Sequence, residues 1–147
     1  MKKWPWWVKT LAILVILFGL IQLIPFGKDH QNPPVVAEAT FDNATTKTLV
    51  TNTCFDCHSN ETVWPWYSNI APVSWLIQRD VDEGRQNLNF SDWSSNSLVS
   101  QELFSAAAEV VSRGKMPPFY YVWLHPKAKL TSTTLPKLVQ GFQNSAK

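Results

Sequence analysis

Cysteine, histidine and methionine are scarce in this 147-residue chain: two Cys, three His and two Met. Two cysteines cannot staple a disulfide-dense scaffold, and a bridge across two intervening residues closes too small a loop to stabilise much. No second ligand pair at zinc-like spacing accompanies them. A four-ligand zinc site would have to recruit His30 and His125 from distant parts of the chain. Also missing are apolar/polar alternation of the strand type, internal repeats and low-complexity tracts. No basic run interleaved with aromatics occurs, so nucleic acid is excluded as a partner. Nothing resembles an acid-base or nucleophile constellation, which argues against an enzyme.

What is present is unevenly distributed. Hydrophobic residues make up 45% of the chain, and sixteen of its positions, 11–26 (LAILVILFGLIQLIPF), form one apolar run. Sixteen helical residues cover only ~24 Å of a ~30 Å hydrocarbon layer. Counting back through Lys9 to Trp6 gives twenty-one residues and ~31 Å, enough to span, with Trp4, Trp6 and Trp7 at headgroup depth. The segment therefore reads as a single N-terminal transmembrane helix over residues 1–27. A retained anchor is preferred to a cleaved signal peptide, because Ala37-Glu38-Ala39 lies eleven residues beyond Phe26. Lys2, Lys3 and Lys9 would stay cytoplasmic, placing the rest on the outer face of the cytoplasmic membrane. That exported part carries ten Lys and Arg against eleven Asp and Glu. Its net charge gives no field from which to guess a partner.

Residues 28–39 (KDHQNPPVVAEA) read as a flexible tether, and residues 40–147 as one small domain with helical periodicity. A first helix is expected over about 44–53. A second starts at Pro72, with Val73, Leu76, Ile77 and Val81 on one face. A third runs over about 97–113, facing inward with Val99, Leu103, Ala107, Val110 and Val111 and stopping at Gly114. A last one is capped by the hydroxyls of 131–134 and carries Pro136 in its first turn. Long loops are expected over 59–70 and 115–130. The fold class is all-α.

The two cysteines occur as Cys54-Phe55-Asp56-Cys57-His58. A redox dithiol would need a preceding strand in a βαβ context, and none is apparent. Two cysteines one helical turn apart, with histidine next, have the form that attaches haem covalently. Both porphyrin vinyl groups can then form thioethers while the imidazole reaches the iron. One haem c on Cys54 and Cys57, with His58 as an axial ligand, is the preferred reading. For the sixth position Met116, in the stiff loop RGKMPPFYY, is preferred, with His125 in WLHPKAKL as its rival. Trp64, Trp66 and Tyr67 are candidate walls of the same cofactor, and Arg79, Arg85 and Arg113 candidate partners of its propionates.

CFDCHSNET, WPWYSNIAPVSWL, DVDEGRQNLNFSDW, GKMPPFYY and HPKAKLT, in this order, resemble the small haem-binding domain family of bacterial membrane-anchored c-type cytochromes. The resemblance implies a cytochrome c-like helical domain with long loops around one haem. It also implies Cys54 and Cys57 as thioether sites, His58 as proximal ligand and Met116 as distal ligand. One departure is the start of the last helix, where Ser132, Thr133 and Thr134 stand in place of the acidic residues that members often carry. The function expected is a membrane-anchored monohaem electron carrier working with redox partner proteins. The alternative is a haem-based sensor or gas-binding module with a displaceable sixth ligand.

Overall fold

The computed structural model describes residues 4–147, so Lys2 and Lys3, assigned above to the cytoplasmic side, lie outside the described residues. Among the described residues seven α-helices are formed: α1 (Trp6–Ile21), α2 (Ala44–Thr53), α3 (Phe55–His58), α4 (Val73–Asn87), α5 (Ser97–Ser112), α6 (Phe119–Leu124) and α7 (Thr134–Ser145). Short 3-10 turns occur at Trp66–Asn69 and Pro126–Ala128. Among the described residues there is no strand, and pairing is limited to an isolated parallel bridge between Ala37 and Asp92. The chain forms two compact units. One is the chain up to Gln31 together with Trp64–Asp80, and the other is Asn32–Val63 with Val81–Lys147.

In the first unit, α1 is apolar on all sides and buries none of its residues. Its length overturns the expected membrane span. Sixteen residues make a helix of about 24 Å, short of the ~30 Å that a bilayer core requires. No helix among the described residues is long and apolar enough to cross a membrane. The twenty-one-residue count fails at Gln22, which caps α1 instead of continuing it. The Gln22 side-chain amide pairs with the Ala71 backbone, its Nε2 donating to the carbonyl at 2.9 Å and its Oε1 accepting from the N–H at 2.9 Å. Lys28 Nζ donates to the Gln22 carbonyl at 2.5 Å. Gly27, at φ 75°, then turns the chain against the Ser74 carbonyl, where a side chain would collide. The single-pass placement with the remainder on the outer face is therefore withdrawn, and with it the topological reason for putting the cysteines in an oxidising compartment.

The second unit is built on an aromatic core. Phe90 is fully buried and lies 5.8 Å from Phe55, 5.7 Å from Trp93 and 6.3 Å from Phe142, with near-parallel rings in each case. Phe104 completes the cluster, 4.5 Å from Trp93 and 6.1 Å from Phe142. Ring contacts of this kind add to the burial of large apolar area. The inward face of α5 is Phe104, Ala108 and Val111; Val111 is as expected, while Phe104 and Ala108 take the buried places expected of Leu103 and Ala107. The largest side chain claims the core and the smaller ones follow its register.

Helices α2, α5 and α7 have local causes. Asn43 Oδ1 accepts from the Thr46 N–H at 3.0 Å and Asn96 Oδ1 from the Leu98 N–H at 3.0 Å, starting α2 and α5. Gly114, at φ 66°, ends the α5 turn. Thr131 Oγ1 accepts from the Thr134 N–H at 3.1 Å and so caps α7. Helices α2 and α7 cross closely, because a side-chain carbon on Gly141 would meet the buried Thr46. Residues 36–39, within the segment expected to be a tether, run beside 90–93. The N–H groups of Val36 and Ala39 donate to the carbonyls of Ser91 and Phe90, each at 2.9 Å, and Trp93 N–H donates to the Ala37 carbonyl at 2.9 Å.

Candidate functional site

Cys54 closes α2 and opens α3. Its N–H donates to the Val50 carbonyl at 2.8 Å, while its own carbonyl accepts from Cys57 N–H at 3.1 Å and His58 N–H at 2.8 Å. The single turn of α3 is tied down at both ends. Phe55 is buried in the core, and the fully buried Ser59 donates its hydroxyl to the Phe55 carbonyl at 2.8 Å. The Phe90 N–H donates to the His58 carbonyl at 2.8 Å. Neither cysteine is in a disulfide. Burial, and secondarily the neighbouring Cys57, push the Cys54 thiol up to about 12. A reactive dithiol needs its thiol lowered. The shift runs the other way.

His58 is oriented by helix α4. Its Nδ1 lies 3.0 Å from the Gly84 carbonyl oxygen and 3.0 Å from that of Leu88. Carbonyls only accept, so Nδ1 carries the hydrogen and Nε2 holds the lone pair. Burial holds the imidazole below its usual pKa, against the two carbonyl bonds, which raise it. The neutral, ligating form is favoured. Gly84 permits this approach, since any side-chain carbon there would press on the Cys57 carbonyl. Neither Gly84 nor Leu88 stands out in the sequence as a site residue. A glycine in mid-helix is the one available hint of close backbone contact.

Asp56, between the cysteines, accepts at both carboxylate oxygens. Oδ1 takes the Val63 N–H at 3.1 Å and Oδ2 the Tyr121 hydroxyl at 2.7 Å, while the Asp56 carbonyl takes the Thr62 hydroxyl at 2.7 Å. Burial, followed by the bond to Asp56, raises the Tyr121 pKa well above its ordinary value. Tyr121 belongs to α6, a helix within a stretch expected to be loop. Its ring stacks on His125 at 4.2 Å, and His125 Nδ1 donates to the Tyr121 carbonyl at 3.0 Å. Met116 lies two residues after Gly114 and three before α6, with 39% of its surface exposed.

A family model described as a haem-binding domain matches residues 16–144. The chain belongs to that family. No curated protein and no solved structure matches it.

The residues of this haem-binding domain fit the group. His58 offers a neutral imidazole with its distal nitrogen held as an acceptor, and two unbridged cysteines precede it, Cys57 adjacent and Cys54 one turn back. Among the described residues, no three His, Cys, Asp or Glu side chains gather as a site for a bare metal ion. The domain's candidate residues divide between the units. Cys54, Cys57, His58, Met116 and His125 lie in the second unit, while His30, Trp64, Trp66 and Tyr67 lie in the first. There Trp64 stacks on His30 at 4.6 Å, and Trp66, 76% exposed, meets Tyr67 edge-on. Arg85 donates from Nε to the Ser59 carbonyl at 2.8 Å and from Nη2 to Asn32 Oδ1 at 2.8 Å and Thr62 Oγ1 at 3.0 Å. Arg79 pairs with Asp80 at 3.2 Å and Arg113 with Glu109 at 2.5 Å.

Proposed function

We infer that this chain is a monohaem electron carrier, with haem bound covalently through Cys54 and Cys57, His58 as one axial ligand and Met116 as the other. The observation that carries the reading is the pair of carbonyls on His58 Nδ1. They direct the Nε2 lone pair outward and add electron density to the ring when it ligates. When bound, the haem supplies an iron that exchanges one electron between its ferric and ferrous states. The protein's own residues do the rest. The Cys57-His58 backbone is anchored to Cys54, Phe55 fixes the turn in the core, and Gly84 brings α4 against it. A ligand held this rigidly needs little rearrangement when the charge at the metal changes. Thioether ligation by Met116 would favour the reduced state relative to a second histidine.

The test is a pyridine haemochrome spectrum on protein extracted with acidified acetone. Haem that resists extraction, with the band position of a doubly thioether-linked porphyrin, is the expected result. Complete extraction would remove the covalent assignment. Met116→Ala, expected to abolish low-spin six-coordination, separates Met116 from His125. Ready binding of CO by the reduced wild type would favour a sensor with a displaceable sixth ligand.

A further inference from the structure

The near-neutral charge conceals a segregation along the chain. All eleven acidic residues lie between Asp29 and Glu109, in company with only Lys47, Arg79 and Arg85. Beyond Glu109 no Asp or Glu occurs, and Arg113, Lys115, Lys127, Lys129, Lys137 and Lys147 follow. Helix α6 sits in the middle of this basic stretch. Lys115, Lys127 and Lys129 on either side of it are exposed and make no ion pair among the described residues.

Between those lysines α6 presents an apolar face. Phe119 and Trp123, four residues apart and therefore on one side of the helix, are 84% and 85% exposed, with Leu124 beside them at 58%. Tyr121 lies about 200° of helical rotation from Phe119. It is the residue that reaches Asp56. The aromatic face thus lies on the other side of α6 from the residue that bonds the attachment turn. The nearby carboxylates are engaged elsewhere, Asp56 by Tyr121 and Glu109 by Arg113.

We propose that α6 and its flanking lysines, 115–129, form a docking surface for an acidic protein redox partner. The proposal rests on the electron-carrier reading and adds the partner's chemistry to it. An aromatic centre with a charged rim is the anatomy of a protein interface, in which Trp and Phe supply contact area and the rim sets encounter rate and orientation. A bilayer surface is a poorer match, because interfacial helices bury a long apolar stripe and α6 has only six residues. Met116, 39% exposed, belongs to the same stretch of chain, three residues before α6.

The experiment uses the full haem-loaded chain in its ferric form and an acidic flavodoxin, reduced to the hydroquinone, as probe donor. Each encounter moves one electron, leaving ferrous haem and flavin semiquinone. Stopped-flow rates are expected to fall about tenfold between roughly 20 and 300 mM salt. K127E/K129E should remove most of the rate at low salt and flatten the salt dependence, with absorption spectrum and reduction potential unchanged. Trp123→Ala should slow the reaction about tenfold at every salt concentration. A wild-type rate indifferent to salt, or a K127E/K129E rate equal to wild type, overturns the proposal. So does binding to phosphatidylglycerol vesicles that the double variant abolishes while flavodoxin rates stay the same. Calorimetric binding of flavodoxin needs no haem. A haem-free sample would therefore sink the carrier reading alone, and salt-dependent binding lost in K127E/K129E would still decide the surface.

Discussion

The Tyr121 hydroxyl donates to Asp56 Oδ2 across 2.7 Å, joining α6 to the residue between the two cysteines. The partners are 65 positions apart in sequence. The bond makes the loop that carries Met116 structurally accountable to the turn that carries His58.

Tyr121→Phe keeps the ring and its stacking on His125 while deleting the bond. Hydrogen bonds to charged groups are worth roughly 1.5–3 kcal/mol, and Asp56 retains its Val63 contact, so a loss of about 1.5 kcal/mol is expected. Urea unfolding of the variant beside wild type measures it.

The same residue sets an alkaline limit. Burial and then the Asp56 bond raise the Tyr121 pKa above its ordinary 10.0, so the folded state favours the protonated phenol. The stability this contributes is complete below about pH 10 and is lost as the pH climbs beyond it, through the raised folded value. The stability gap between wild type and Tyr121→Phe should stay constant from pH 7 to pH 9 and shrink above pH 10. A gap unchanged at pH 11 would contradict it.

Gly84→Ala would place a carbon against the Cys57 carbonyl, and backbone cannot yield as a side chain can. Helix α4 would have to withdraw, taking the carbonyls of Gly84 and Leu88 from His58 Nδ1. The expected outcome is an overpacking loss of about 1–3 kcal/mol together with reduced haem content per chain, read by thermal melting and haemochrome absorbance. Full haem content at wild-type stability would refute the close-approach role.

Arg85→Ala removes the guanidinium contacts to Ser59, Asn32 and Thr62. With the side chain only part-buried, the cost should be about 1–2 kcal/mol. If Arg85 is a staple of this kind, the reduction potential of the loaded protein stays within experimental error of wild type. A potential that moves while stability holds would return Arg85 to the propionate role considered from sequence.

Four helices were readable: α4 from Pro72 and its periodic face, α5 from its periodic face and the Gly114 stop, α7 from the hydroxyls of 131–134, and α2 as the segment over 44–53 that leads into the cysteines. The Asn43 and Asn96 caps that start α2 and α5 emerge only from the fold. Helix α6 was not readable. It has six residues, is bracketed by Pro118 and Pro126, and is rich in aromatics, too short to express a period. The membrane span was overcounted because hydropathy runs smoothly through Gln22, whereas the helix stops there to meet Ala71, 49 residues away. The same distinction applies to the site. Cys54, Cys57 and His58 are contiguous and therefore legible as a motif, but Gly84 and Tyr121 reach it only through the fold. A mid-helix glycine hints at a close contact without naming a partner 27 residues upstream, and no local pattern marks a tyrosine 65 residues from its carboxylate.

Because Cys54 is at once the last link of α2 and the first of α3, its sulfur has no flexible segment between it and the buried Val50 and Phe55. Whatever is bonded there is mechanically part of the hydrophobic core. Cofactor loading should thus register as a change in the cooperativity of the whole unit's unfolding. A calorimeter could count loaded chains as well as a spectrophotometer can.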